Sequence, residues 1–244
     1  MMIPYPVFVK RTEDTPKWLP FVTSVGAVLL AFIISAIILA ATGADPVKVY
    51  SYLYKASFGS WGAFSDVIVK ATPLVLIGLG CALAFRMRLW NIGAEGQFFV
   101  GAFMAAAVVM VPLVDLDTTP RWMIVSLMAV LGMLGGALFA LIAGILKAKL
   151  NINEIIITLM LNYIAVLWNN YWIFGKWSEA GFQMTKTFPK VAWLPRLADY
   201  AAKVPAFSGM TLHVGILFGL IAAVIVYLIV YRSKWGYKIT LIGD

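Results

Sequence analysis

Long apolar runs separated by short polar segments dominate this chain. A helix crosses about 30 Å of hydrocarbon with about 20 residues, at about 1.5 Å per residue. Six runs are long enough, or nearly so, and we predict a membrane-spanning helix in each: residues 19–41, 67–85, 97–113, 122–146, 153–175 and 211–231. The first run is too long for the apolar region of a signal peptide, so we expect a retained helix. The predicted fold is all-α, a polytopic transmembrane bundle.

The composition agrees with a membrane protein. Hydrophobic residues make up 62% of the chain and charged residues 12%, whereas an ordinary soluble domain is about 25% charged. The net charge of +8 comes from residues at the ends of apolar runs, which argues against nucleic-acid binding. One cysteine, Cys81, and one histidine, His213, exclude a disulfide framework and a metal site of clustered thiolates and imidazoles.

Basic residues at the ends of the runs predict the orientation. If six helices alternate, one group falls on a single side, which the positive-inside rule assigns to the cytoplasm. The group comprises Lys10, Arg11, Lys17, Arg86, Arg88, Lys147, Lys149, Arg232, Lys234 and Lys238. Both termini are then cytoplasmic, with residues 1–18 as an N-terminal segment, 19–231 as the transmembrane domain and 232–244 as a short stub. Two long loops, about 42–66 and 176–210, fall outside.

A polar break separates the second and third runs. It contains Asn91, Glu95 and Gln97. A carboxylate and two amides at or near bilayer depth are costly, so we predict that they line a substrate pathway. The third run has only about 17 residues, which is at the short end of the spanning range.

This short run leaves two interpretations of the break open. The first is a broken or re-entrant element, whose irregular backbone is covered by protein or by a watery cavity. Gly93 and Gly96 would make its turn sterically cheap. The second is a plain cytoplasmic hairpin, in which Glu95 caps the positive N-terminus of the next helix.

Small residues recur every four positions in the fourth run. They are Gly132, Gly136, Ala140 and Gly144. Because small residues at this spacing let two helix backbones approach closely, we expect this helix to pack in the middle of the bundle.

One face of the fifth run is polar. Glu154, Thr158 and Asn162 are four residues apart, and Asn169 follows on the same helical face. This stripe, in which Thr158 and Asn162 are the candidate pathway residues, either lines a polar pathway or forms hydrogen bonds with a neighbouring helix. Glu154 has another interpretation, because Asn151 and Glu154 have the spacing of a capping box.

Motifs of catalysis and of phosphate binding are missing from the sequence. It contains no Gly-x-x-x-x-Gly-Lys-Ser/Thr, no His-Glu-x-x-His and no Gly-x-Ser-x-Gly. We therefore predict no catalytic residue, no metal site and no cofactor bound by this chain.

Three stretches together carry a family resemblance. They are Asn91-Ile-Gly-Ala-Glu-Gly-Gln97, Asn153-Glu-Ile-Ile-Ile-Thr-Leu-Met-Leu-Asn-Tyr-Ile164, and Trp235-Gly-Tyr-Lys238 with Gly243. In this order they resemble the permease subunit of bacterial ABC importers, in the branch for nucleosides and simple sugars. That branch is more distantly related to branched-chain amino acid permeases. The resemblance covers nearly the whole chain.

The resemblance implies a subunit that forms the translocation pathway for a small polar solute. It also implies a second permease subunit, a separate ATPase that uses ATP, an extracytoplasmic substrate-binding lipoprotein, and a place among the lipids of a bacterial plasma (inner) membrane. A branched-chain amino acid permease is an alternative, as is a secondary transporter, which would show inverted repeats with paired broken helices.

The chain departs from the family pattern near its end. Thr240 stands where the Arg of a Gly-x-x-x-Arg-Ala-x-Gly pattern is expected, and the sequence reaches Asp244 before an Asn-Pro-x-x-Ala-Ala segment. We therefore expect an N-terminal portion of a longer permease that lacks the coupling helix. Gly236 and Gly243 would weaken any helix in residues 232–244.

Overall fold

The structure is a computed structural model that describes residues 16, 18–111, 113–179, 181–182 and 184–243. Within them lie eight α-helices: α1 Leu19–Ala41, α2 Pro46–Phe58, α3 Trp61–Arg86, α4 Ala94–Met110, α5 Arg121–Leu150, α6 Glu154–Tyr171, α7 Gly215–Arg232 and α8 Lys234–Gly243. A π-helical turn, Trp172–Lys176, continues α6, and three short 3-10 helices follow at Lys190–Ala192, Leu197–Tyr200 and Pro205–Phe207. Among the described residues, β-structure is limited to two isolated β-bridges. Lys10, Arg11, Lys17 and Asp244 lie outside the described residues.

The helices confirm the all-α fold, and their lengths suit a multi-pass membrane protein. Among the described residues, α1, α3, α5, α7 and the segment Glu154–Lys176 are long and apolar enough to cross a membrane. The remaining apolar helix, α4, has 17 residues. It begins before the predicted residue 97 and ends before the predicted residue 113.

The described residues up to Ser60 belong to one of two compact units. Its apolar helix α1 has no buried residue. The expectation of a long loop at 42–66 is wrong, because α2 occupies most of that stretch. Asp45 starts α2 by accepting hydrogen bonds from the backbone N–H groups of Val47 and Lys48 at 3.0 and 3.2 Å, and Pro46 suits the first helical position.

Residues 61–244 form the second unit, in which α4 packs against α5 and α6, and α3 packs against α7. A Cβ atom on Gly101 of α4 would lie 2.9 Å from the carbonyl oxygen of Gly132, and one on Gly136 would lie 3.1 Å from that of Gln97. Gly132 and Gly136 of α5 therefore touch the backbone of α4. Gly144 does not, since a Cβ there would meet nothing within 4 Å.

The link between α5 and α6 differs from the predicted capping box. Asn151 ends α5 in the left-handed conformation, with φ of 50°. Asn153 is the residue that caps α6, by accepting the backbone N–H of Ile155 at 2.9 Å. The Glu154 carboxylate instead pairs with the Lys147 ammonium at 2.9 Å. This ion pair joins the last turn of α5 to the first residue of α6.

The end of the chain is helical despite its glycines. Helix α8 packs against α7 and against the end of α3. Gly236 lies against the carbonyl of Val230, and Gly243 against the carbonyl of Arg86. The expected weakening is outweighed by this packing, which leaves no room for a side chain at either position.

Candidate functional site

The polar break lies between α3 and α4, in residues 87–93. Arg88 takes a positive φ of 54°, and α4 starts after Gly93. Gly93 and Gly96 are not in the left-handed region, so the expectation that they ease a turn is wrong. They are needed for close packing, because a Cβ on Gly93 would lie 2.8 Å from Cβ of Thr158, and one on Gly96 would lie 2.6 Å from Oδ1 of Asn162.

The two amides of the break bind each other. Nδ2 of Asn91 donates to Oε1 of Gln97 at 3.2 Å, and Nε2 of Gln97 donates to Oδ1 of Asn91 at 3.1 Å. The same Asn91 oxygen accepts the backbone N–H of Gly93 at 3.1 Å. This reciprocal amide pair fixes the irregular segment against the first turn of α4.

The polar stripe of α6 faces this segment. Oδ1 of Asn162 accepts the backbone N–H of Gly96 at 2.7 Å, and its Nδ2 donates to the carbonyl of Ile92 at 2.8 Å. Thr158, which is buried, donates to the carbonyl of Glu154 in its own helix at 2.7 Å. Of the two interpretations of the stripe, the observed bonds match contacts to backbone, and a role in a pathway stays a prediction.

Glu95 points elsewhere. It is exposed, and among the described residues it takes part in no hydrogen bond or ion pair. The N-terminus of α4 has no side-chain hydrogen-bond cap, but Glu95 lies in the first turn of the helix, where its charge suits the positive end of the helix dipole. The hairpin interpretation of Glu95 therefore stays open. The structure brings Asn91, Gln97, Thr158 and Asn162 together and leaves Glu95 on another face of α4.

Two cavities flank the amide pair, and Asn91 and Gln97 line both. The first has a volume of about 430 Å³ and is also lined by Ala140, Gly144, Lys147, Glu154 and Thr158. The second, of about 390 Å³, is also lined by Gly80, Cys81, Phe98, Gly132 and Gly136. Such concave spaces with a few convergent polar groups are typical of small-molecule sites.

Helix lengths give the depth of the break. If Trp122 marks the outer boundary of the hydrocarbon, the inner one lies about 20 residues further along α5, and Gly136, which meets Gln97, is about 9 Å short of it. If Glu154 marks the inner boundary, Asn162 lies about 12 Å above it. On either assumption the break lies inside the inner boundary, and the choice between a re-entrant element and a plain hairpin stays a prediction.

A third cavity lies at the opposite end of α5. Its volume is about 500 Å³, and its walls include Trp193, Arg196 and His213. Burial lowers the pKa of His213, and the positive charge of Arg196 lowers it further, so the imidazole is neutral at neutral pH. No sequence pattern indicates this site, because Trp193 and Arg196 fall in a segment expected to be a loop and carry no periodic signal.

The comparisons with known proteins agree on one family. The family model described as "Branched-chain amino acid transport system / permease component" matches residues 63–244. The glucose ABC transporter permease protein TsgB13 of Haloferax volcanii is 32% identical over 95% of this chain. The guanosine ABC transporter permease protein NupP of Bacillus subtilis is 32% identical over 89% of the chain. The nucleoside ABC transporter permease protein NupB of Lactococcus lactis is 28% identical over 89%.

These matches cover only part of the relatives. The chain spans 60% of the length of the first two and 59% of the third. No solved structure matches the chain.

Proposed function

Since the chain belongs to the family of permease components of branched-chain amino acid transport systems, we propose that it forms the translocation pathway of an ATP-driven importer for a small polar solute. The observation that carries the proposal is the reciprocal amide pair of Asn91 and Gln97, which stands between two cavities inside the bundle. Neutral amides offer donors and acceptors to a polar solute without leaving a charge unpaired in the membrane.

The proposed solute is a nucleoside or a simple sugar. Supporting this choice, the names of three relatives specify glucose, guanosine and nucleosides. A branched-chain amino acid, which the family description suggests, brings a carboxylate and an ammonium that need partners. The charged groups of the first cavity, Lys147 and Glu154, already bind each other at 2.9 Å, so a neutral solute suits this cavity better.

The proposed partners supply energy and substrate. They are an ABC ATPase, which uses ATP as a separate chain, a second permease subunit, and an extracytoplasmic substrate-binding lipoprotein. The subunit itself is a transport protein and not an enzyme, and it binds no cofactor of its own. We place the assembly in a bacterial plasma membrane, with Arg86, Lys147 and Arg232 on the cytoplasmic side.

In this proposal the amide pair exchanges hydrogen bonds with the solute. A solute that moves between the two cavities replaces the bonds between Asn91 and Gln97 with bonds to its own hydroxyl or ring groups. Such an exchange costs little, because a typical hydrogen bond contributes only about 0.5–1.5 kcal/mol net. An apolar side chain in place of either amide leaves the solute unpaired during the passage.

The test is uptake of radiolabelled guanosine and glucose by cells that express the complete importer. Gln97→Met keeps the side-chain size and removes both amide bonds. We expect it to lower the uptake rate of the transported solute by about two- to tenfold, since at least one bond to the solute is lost. The amount of folded importer in the membrane is measured in parallel by detergent extraction and size-exclusion chromatography.

Two further variants complete this test. Asn170→Leu removes an amide near the outer end of α6 and serves as the control, with near-normal uptake expected. Glu95→Gln tests the predicted pathway role of Glu95 on the other face of α4. Normal uptake by Gln97→Met would contradict the proposed role of the amide pair, and loss of uptake in Glu95→Gln alone would move the pathway to the opposite face.

A further inference from the structure

The cavity of about 500 Å³ at the outer ends of α5 and α7 has the features of a binding site. Its floor consists of small and apolar residues of α4, α5 and α7, and its roof is the segment between α6 and α7. The residues of interest in its wall are Phe188, Trp193, Arg196 and His213. Two of them, Arg196 and His213, also line an adjoining cavity of about 230 Å³.

The aromatic wall is held in place from two sides. The indole N–H of Trp193 donates to the carbonyl of Phe188 at 2.8 Å, and the carbonyl of Trp193 accepts a bond from Nε of Arg121 at 2.7 Å. The guanidinium of Arg196 stacks over the Trp193 ring, with Cζ 4.4 Å from the ring centroid. This cation–π contact fixes the Arg196 side chain without using its N–H donors.

The two polar side chains keep donors available. Within the described part of the chain, no carboxylate lies within ion-pair distance of the Arg196 guanidinium. Nδ1 of His213 accepts the backbone N–H of Gly215 at 3.0 Å, so the neutral imidazole carries its proton on Nε2. A β-bridge between the backbones of Arg196 and His213 places the two residues side by side.

This wall combines flat aromatic rings with hydrogen-bond donors, and the remaining lining is apolar. A nucleobase matches such a wall, because its faces stack on aromatic rings and its edge presents carbonyl and ring-nitrogen acceptors. A planar guanidinium matches the two acceptors on the edge of guanine. A hexose, in contrast, presents hydroxyl groups all around its ring and would leave many of them unpaired against apolar residues.

We propose that this outer cavity is a binding subsite for the base of a purine nucleoside, which stacks on the aromatic wall and accepts hydrogen bonds from Arg196 and His213. The proposal rests on the proposed transport function and narrows its solute from a nucleoside or sugar to a nucleoside. The solute would occupy this subsite before it reaches the amide pair of Asn91 and Gln97.

The experiment measures guanosine and glucose uptake, each as a function of concentration, by the complete importer. We expect guanosine to be the transported solute. Arg196→Gln should raise the KM for guanosine by about tenfold, because a hydrogen bond from a charged donor is lost, with little change in maximal rate. Arg196→Lys keeps the charge but not the planar fork, and should give an intermediate KM. Trp193→Leu should also raise the KM.

The matched control is Lys203→Gln, which removes an exposed cation from the same segment and should leave the KM for guanosine unchanged. A normal KM in Arg196→Gln and Trp193→Leu would overturn the subsite. So would a fall in maximal rate without a change in KM, which points to a structural role. Uptake of glucose but not guanosine would overturn the subsite and leave the proposed function standing. Uptake of neither solute would overturn both.

Discussion

The polar groups at the junction of α4 with α6 differ in their bonding from those of the outer cavity. At the junction, the amides of Asn91, Gln97 and Asn162 are bonded within the protein. In the outer cavity, Arg196 and His213 hold their positions through a ring contact and a backbone bond, and within the described residues their remaining N–H donors have no partner. The hydrogen bonds of the first region hold an irregular backbone segment against α4 and α6, whereas the donors of the second are the ones that the proposed subsite would use.

This difference teaches how a polar residue in an apolar chain should be interpreted. A polar side chain at depth is expensive unless it is bonded. In the proposed function the amide pair must give up bonds within the protein to bind a solute, whereas Arg196 and His213 need give up none. Variants at the junction should therefore reduce stability, and variants in the outer cavity should change stability only slightly.

The largest effect is expected from Asn162→Leu. The substitution keeps the size of the side chain but leaves the N–H of Gly96 and the carbonyl of Ile92 without their partner. Two unsatisfied groups in a low-dielectric setting should lower the free energy of unfolding by about 2–4 kcal/mol. The measurement is denaturation in detergent micelles, followed by circular dichroism.

Asn170→Leu is the control for this prediction. It makes the same chemical change two turns further along the same helix, and we expect a loss of less than about 1 kcal/mol. Equal losses in the two variants would show that the amide of Asn162 has no special role in holding α4.

A smaller loss is expected from Gly96→Ala. The added Cβ would lie 2.6 Å from Oδ1 of Asn162 and 3.0 Å from its Cα, so α4 and α6 must move apart, at a cost of about 1–3 kcal/mol. Gly144→Ala, where a Cβ meets nothing within 4 Å, should be neutral or stabilising, because alanine favours a helix by up to about 1 kcal/mol. The same denaturation assay compares the two. A destabilised Gly144→Ala would mean that this position packs against a partner outside the chain.

The apolar pattern was sufficient to predict the fold. The thickness of the bilayer sets the length of an apolar run that spans it as a helix. Each of the six predicted segments accordingly corresponds to a helix. The spacing of Thr158 and Asn162 predicted a shared face, since helical periodicity alone sets it. The predicted close approach of two helices occurs at Gly132 and Gly136. Gly144 lies beyond the end of the neighbouring helix, and periodicity does not tell where that helix ends.

The parts that the sequence did not predict depend on contacts between distant residues. Arg121 donates a hydrogen bond to the carbonyl of Trp193, and the backbones of Arg196 and His213 form a β-bridge. No local pattern indicates either contact. Helix α2 was missed because its sequence is only moderately apolar, and its start depends on the Asp45 cap. Gly93 and Gly96 were assigned a turn because glycine is common in turns, although close packing is an equally good reason for glycine.

The smallest effect is expected in the outer cavity, from the protonation of His213. The imidazole is half-buried and lies near the guanidinium of Arg196, and both factors place its pKa in the folded protein below the ordinary value of 6.5. Above pH 6.5 the ring is neutral in both states, so stability does not depend on it. As the pH falls below about 6.5, the unfolded chain binds the proton more readily and stability decreases, until the folded pKa is passed.

Because the ring keeps part of its contact with water, we expect a fall in Tm of only about 1–2 °C between about pH 7 and pH 5.5 that is specific to this residue. His213→Gln should remove that part of the fall, and Arg196→Gln should reduce it, since the second cause of the pKa shift is gone. The comparison is made by thermal denaturation of the three proteins in micelles at both pH values. An unchanged pH dependence in His213→Gln would show that other groups account for the fall, and that the imidazole titrates in the folded protein as it does in the unfolded chain.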